Sequence, residues 1–421
     1  MRPSWLVRSE FLPGLTTFLS MVYLLVVIPH ILHYAGMPLA ATLLSVVLIA
    51  GFSSIAAGLI ANTPIVFAPG LGLLSFFAYV VVGDHAIPWQ RALASVFVAD
   101  LLLVLVSFTP IRRWILQAIP KSLGIAITGG IGFFLGMLAL HTAHVITASS
   151  KTLVMLGQLH TFSVLLFVIG FFIVVILDAR KIPGALLIGL LSVSVLDWIF
   201  GGGQAHFYGV FALPSWHLSL WDQLDFQGLL SFPMIMTTFT FFLIGLFDST
   251  GCILGLLKMI PQCEDMQKKT SRALCVESVS SAMGALMGLT TSSPLLESSA
   301  GIGAGGRSGK TAIWVGGLLL FALFLGPLTR SIPMTAVSAI LFYVGCLMLK
   351  PIADLEWGVF TEVLPAVVTL LTIPLTFSIS DGVGMGVITY VILNLSYGQF
   401  KKIKPGLYGI ALFFIFYFIF S

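Results

Sequence analysis

The sequence is short of charge. Asp, Glu, Lys and Arg make up 9% of its 421 residues, where an ordinary soluble domain has about 25%. A globule of this length could not cover its surface with so few solvated groups, which excludes the soluble classes. Cysteine is scarce too, with only four: Cys252, Cys263, Cys275 and Cys346. Three lie in apolar stretches and one in a charged loop, which is no disulfide framework, and no Cys/His spacing matches a metal site. No metal or other cofactor is expected, and nothing marks a nucleic-acid partner. No stretch is long enough or polar enough for a second, soluble domain. Met1 to Glu10 lack a small-residue cleavage site, so the first apolar run reads as a retained span.

What remains is apolar. Hydrophobic residues make up 58% of the chain, with 34 Phe, and the mean hydropathy is +1.08. A spanning helix needs about 20 apolar residues, and with a short loop each span takes about 30, so the chain holds roughly fourteen. Apolar runs cover 14–33, 38–60, 64–82, 89–109, 120–141, 160–178 and 182–200, and, after a polar stretch at 201–226, 228–257, 271–290, 292–306, 310–330, 334–349, 356–379 and 382–397. A last apolar segment, 405–421, is an interfacial tail or an extra span. With the N-terminus in the cytoplasm, only Arg91, Lys151 and Arg330 of the twenty basic residues fall in outside loops, as the excess of Lys and Arg on the inner side requires. The chain therefore divides into a first seven-span unit (1–200), an extracytoplasmic connector (201–227), a second seven-span unit (228–400) and a basic linker with a C-terminal apolar segment (401–421).

The two units echo one another. Thr16-Thr17-Phe18 is matched by Thr237-Thr238-Phe239, and Ile119-Pro120-Lys121-Ser122 by Ile332-Pro333-Met334-Thr335. Thr63-Pro64-Ile65-Val66-Phe67 leads into Ala68-Pro69-Gly70-Leu71-Gly72, as Ser293-Pro294-Leu295-Leu296-Glu297 leads into Ser298-Ser299-Ala300-Gly301. The shared order points to a repeat, and because seven is odd the second copy enters the membrane inverted. The expected fold is an all-α polytopic membrane protein of fourteen segments in two inverted repeats. Its third and tenth segments cannot stay continuous helices, because proline removes a hydrogen bond and clashes with the preceding turn. Unwound backbone is tolerated at membrane depth only where protein or a cavity satisfies it. Two interrupted segments in equivalent places therefore point to a central binding site with N–H groups aimed at it; the competing reading is that their small residues serve only tight helix packing.

Five acidic residues fall within or near spans: Asp100, Asp197, Asp248, Glu277 and Glu297. A carboxylate there costs about 2.5–3.5 kcal/mol on insertion scales. Asp197 is near a span end. Asp100 is divided between packing and function, and Glu277 is as well explained by an ion pair with nearby Arg272 or Lys269. Asp248, deep in the eighth span, and Glu297, in the broken tenth segment, have no basic residue at their depth and are read as functional, proton-exchanging groups. Two carboxylates, serines and backbone N–H groups suit a planar, neutral heterocycle with an aromatic ring against its face. The candidate substrate contacts are Asp248, Glu297, Phe67, Ala68, Gly70, Ser75, Phe247 and Ser298, with Asp248 and Glu297 also coupling protons.

Several motifs resemble those of the nucleobase–cation symporters, and in particular the AzgA-like adenine/guanine/hypoxanthine permeases. They are Gly14-Leu15-Thr16-Thr17-Phe18-Leu19 with Met21 and Tyr23, Ala68-Pro69-Gly70-Leu71-Gly72-Leu73 with Phe76-Phe77-Ala78-Tyr79, Leu246-Phe247-Asp248 with Gly251, Glu297-Ser298 through Gly301 with Gly305-Gly306-Arg307-Ser308-Gly309, and Thr361-Glu362 with Pro365-Ala366. The resemblance implies a core domain and a gate domain, a purine bound between the first, third, eighth and tenth segments, proton symport at the cell membrane, and a homodimer through the gate domain. Three positions depart from the pattern by losing a polar group: Leu74 for the usual Asn, Gly245 for Asp and Leu295 for Tyr. Asp100 replaces a small residue. The competing functions are a carrier of another small planar or anionic solute and a ligand-binding receptor that no longer transports. An intramembrane enzyme would need a nucleophile–base pair or a metal cluster, and the spans offer neither.

Overall fold

The computed structural model describes residues 5–84, 86–109, 120–149, 153–201, 207–213, 219–261 and 265–420. Arg2, Arg112, Arg113, Ile119, Lys151 and Cys263, with the side chains of Arg8 and Phe247, lie outside the described residues. The first unit runs α1 (Trp5–Met21), α2 (Leu24–Tyr34), α3 (Leu39–Ala56) with a π-helical end Ala57–Ala61, β1 (Phe67–Pro69), α4 (Leu71–Ser75) with a π-helical continuation Phe76–Asp84, α5 (Trp89–Ser107), α6 (Lys121–Thr142), β2 (Ile146–Ser149), β3 (Leu153–Leu156), α7 (Phe162–Ala179) and α8 (Ala185–Phe200). The second runs α9 (Phe232–Lys258), α10 (Met266–Leu286), β4 (Ser292–Pro294), α11 (Ser298–Gly303), α12 (Gly309–Phe321), α13 (Gly326–Arg330), α14 (Met334–Met348), α15 (Phe360–Thr376), α16 (Ile379–Ser396) and α17 (Pro405–Phe420).

Among the described residues nine helices are long and apolar enough to cross a membrane, and four shorter apolar helices accompany them. The protein is mostly helical, as expected, but not all-α. β2 and β3 form a small antiparallel hairpin, and β1 pairs antiparallel with β4.

The helices sort into two packed sets. In one, α1, α3, α5, α9, α10, α11 and α12 surround the β1–β4 ribbon; in the other, α6, α7 and α8 pack with α14 to α17. The helix α2 touches both α3 and α14. Small residues set the closest approaches, as expected where apolar surface alone cannot drive association in lipid. A Cβ on Gly132 of α6 would lie 2.8 Å from the Gly345 carbonyl of α14, and one on Gly301 of α11 would lie 2.7 Å from the Pro13 carbonyl of α1. The C-terminal α17 lies against α16, burying Leu407, Ala411 and Phe414 while Leu412, Phe416 and Ile419 stay exposed. Asn394, in a formal glycosylation sequon, is fully buried and donates to the Tyr390 carbonyl at 3.0 Å, so the sequon is idle.

Candidate functional site

The two broken segments meet. Residues preceding proline are pushed into extended conformations, and Ala68 and Ser293 each precede one. Each chain therefore runs extended for three residues before a helix starts. In the ribbon Phe67 faces Pro294, Ala68 faces Ser293 and Pro69 faces Ser292. It is extended at both ends, by the Gly70 N–H to the Thr291 carbonyl at 3.3 Å and the Leu295 N–H to the Val66 carbonyl at 3.0 Å. Backbone groups that a helix would have paired are thus paired across the two segments. Gly70 is required by this crossing, because a Cβ there would collide with Ser293 Oγ and lie 3.9 Å from Asp248 Oδ2.

The carboxylates gather around the ribbon. Asp248, on α9, lies beside the Ser293 side chain. One turn further, Cys252 Sγ donates to the Pro294 carbonyl at 3.2 Å, so α9 lies along β4. Glu297 stands immediately before α11, and its Oε1 accepts from the Tyr23 hydroxyl at 2.6 Å. Both carboxylates are half-buried. Behind them, Asp100 of α5 is completely buried and accepts from Thr291 Oγ1 at 2.8 Å. Glu277 of α10 is also buried and accepts from the hydroxyl of Ser249, the neighbour of Asp248. Arg272, one of the two basic residues near Glu277 in sequence, donates to the Ile60 carbonyl at 3.5 Å.

The remaining candidates divide. Ala68 and Gly70 lie in the crossing. Ser75, on α4, is fully buried with an unpartnered hydroxyl, a free donor and acceptor one short helix from Gly70. Ser298 Oγ is already engaged by the Val66 N–H at 3.1 Å. Phe67 is fully buried in an apolar cluster with Ile253, Leu257 and Ile302, and its backbone is held by Ser53 and Ser54 of α3. Tyr23, Thr291 and Ser293 complete the constellation. In the sequence they are hydroxyl residues in or beside apolar runs, and no spacing separates them from hydroxyls that merely bond back to their own helix.

Paired broken segments, half-buried carboxylates held by hydroxyls and two packed helix sets define a membrane transporter. Solved structures with this fold include the transmembrane domain of a cyanobacterium bicarbonate transporter, BicA (TM-score 0.64, 15% identity, 90% of this chain and 97% of that one). SLC26A9 also shares it (TM-score 0.66, 16% identity, 94% of this chain and 68% of that one). A model described as the Permease family, that of the xanthine/uracil permeases, matches residues 8–385. Relatives include the adenine permease AdeP of Escherichia coli (strain K12), 38% identical across 97% of this chain and 92% of its own. The guanine/hypoxanthine permease PbuG of Bacillus subtilis (strain 168) is 36% identical across 98% and 96%. The chain belongs to the xanthine/uracil permease family, and is a multi-pass transporter, not an enzyme.

Proposed function

We propose that this protein is a proton-coupled symporter that imports nucleobases, purines foremost, across the cytoplasmic membrane. Its fourteen spans form two inverted repeats, its N-terminus faces the cytoplasm, and the two helix sets act as core and gate domains, with a homodimer contact through the gate. The observation that carries the reading is the β1–β4 crossing, which has Asp248 beside Ser293 of one strand and Glu297 three residues past that strand's end, bonded to Tyr23. The names of the relatives, adenine and guanine/hypoxanthine permeases, support a nucleobase as the substrate.

A nucleobase presents ring N–H and exocyclic amino donors on its edge. Asp248 and Glu297 accept them, and the Ser75 hydroxyl is available for a ring acceptor. Each charge-assisted bond contributes about 1.5–3 kcal/mol, roughly ten- to a hundredfold in affinity. Among the described residues neither carboxylate has a hydrogen-bonded cation to neutralise it, so binding the base and binding a proton are linked: a proton from outside neutralises the site before it crosses. An inorganic anion suits this site poorly, since both groups that would face it are acidic.

The test is uptake of radiolabelled adenine, guanine, hypoxanthine, xanthine and uracil in cells lacking their own permeases, beside Asp248→Ala and Glu297→Ala. Accumulation of at least one purine, abolished by either substitution, is expected. A membrane-inserted protein that accumulates none of them contradicts the reading.

A further inference from the structure

We infer that Tyr23 is a positioning residue of this site: its hydroxyl orients Glu297 for the base and links the break in the first span to the state of that carboxylate. The inference rests on the reading of Glu297 as a substrate contact. The first span is interrupted between α1 and α2. Its break has no proline: Pro13 and Pro29 lie inside the flanking helices, so the usual cause of a kink is missing. Instead the Val22 carbonyl accepts from the Leu25 N–H, three residues on, at 3.1 Å, and the Tyr23 carbonyl is shared between the Val26 and Val27 N–H groups, both at 3.0 Å. The side chain that leaves the chain at this tightened turn is Tyr23. It is completely buried, and its hydroxyl ends on Glu297 Oε1 at 2.6 Å.

The two sides of the break belong to different surroundings. On one side, α1 is clamped to α11, the helix that Glu297 precedes: a Cβ on Gly301 would collide with Thr17 Oγ1. On the other, α2 packs mainly on α3, also on α4, and reaches α14 in the second helix set, which α1 touches at α8. Tyr23 therefore sits where a change at Glu297 passes from one set to the other. Its chemistry suits the place. A carboxylate offers two oxygens and about four lone-pair sites. With Oε1 held by Tyr23, Oε2 is left for a donor on the base. A phenol both donates and accepts, so Tyr23 stays bonded whether Glu297 is a carboxylate or an acid. Phenylalanine keeps the ring and loses both roles.

The test is equilibrium binding of labelled base to purified protein across pH for wild type, Tyr23→Phe, Glu297→Gln and the double variant. Tyr23→Phe should weaken binding about tenfold, the effect of one charge-assisted hydrogen bond, and change its pH profile, with the melting temperature retained. The double variant should bind no worse than Glu297→Gln alone. Wild-type affinity in Tyr23→Phe, or losses that add in full, would overturn the inference. A second readout needs no base. Cys252 touches the same segment through the Pro294 carbonyl, so in ligand-free protein with Cys263, Cys275 and Cys346 changed to serine, Tyr23→Phe should change its alkylation rate several-fold. An unchanged rate overturns the inference. Wild-type protein that binds no base, yet shows the altered rate, would instead sink the substrate reading and leave the Tyr23–Glu297 link standing.

Discussion

At the scale of single residues, the site depends on which polar atoms already have partners. Asp248 lies beside Ser293, and Ser293 has room there only because Gly70 carries no side chain. Gly70→Ala should therefore act at a distance of one residue from the chemistry, pushing Ser293 off Asp248. Uptake is expected to fall about tenfold or more, the cost of one bond to a charged group, in protein that still reaches the membrane; unchanged uptake at normal protein level would count against the role of Ser293. Asp248→Asn keeps the shape and removes the titrating group. It should abolish accumulation against a gradient while leaving exchange of labelled for unlabelled base measurable. Both carboxylates were legible in the sequence because charge at membrane depth is rare and costly. Their partners were not, because a buried serine or tyrosine reads the same whether it bonds a carboxylate or its own helix. Ser298, beside Glu297, also serves the fold: its oxygen accepts from the Val66 N–H, which leaves the hydroxyl's own donor unspent by that bond.

At the scale of elements, the broken segments were legible because proline in an apolar run has few outcomes. Their pairing was not, because three-residue strands are too short for any alternation to register, and only the fold brings residues 67 and 294 together. The leftover segment 405–421 follows the same logic: its composition fits a span or a tail, and only packing puts three of its side chains against α16. The close helix crossings carry a stability prediction. Gly345→Ala would place a Cβ 2.7 Å from the Gly132 carbonyl and 3.0 Å from the Gly136 nitrogen, backbone atoms that cannot swing away. It should destabilise the purified protein by about 1–3 kcal/mol, read as a lower melting temperature in detergent, whereas Gly317→Ala, with nothing within 4 Å, should not. A pH effect belongs to the loop before α9. Arg91 Nε donates to Asp225 at 2.9 Å, and that bond holds the Asp225 carboxyl below its usual range. A depressed carboxylate stabilises above its unfolded value and loses the contribution as pH falls through the folded one. Protection of this loop from proteolysis should thus hold at neutral pH and decline in acid, and Arg91→Gln should remove the difference.

At the scale of the whole molecule, one helix set encloses the crossing, and the proposed transport cycle moves that set against the other. The basic residues predict the orientation: a reporter fused after residue 400 should face the cytoplasm and one inserted near residue 210 the outside. The family followed from motifs spread over nearly the whole chain, while the substrate within it did not, because Leu74, Gly245 and Leu295 replace polar groups at or near the site. The central claim is that a proton gradient drives a base inward through Asp248 and Glu297. It is tested most directly in proteoliposomes of the purified protein, with an imposed inward proton gradient and labelled purines outside. The account predicts accumulation above equilibrium that collapses with a protonophore and is lost in Asp248→Asn and Glu297→Gln. Accumulation that ignores the proton gradient, or that survives both substitutions, would contradict it.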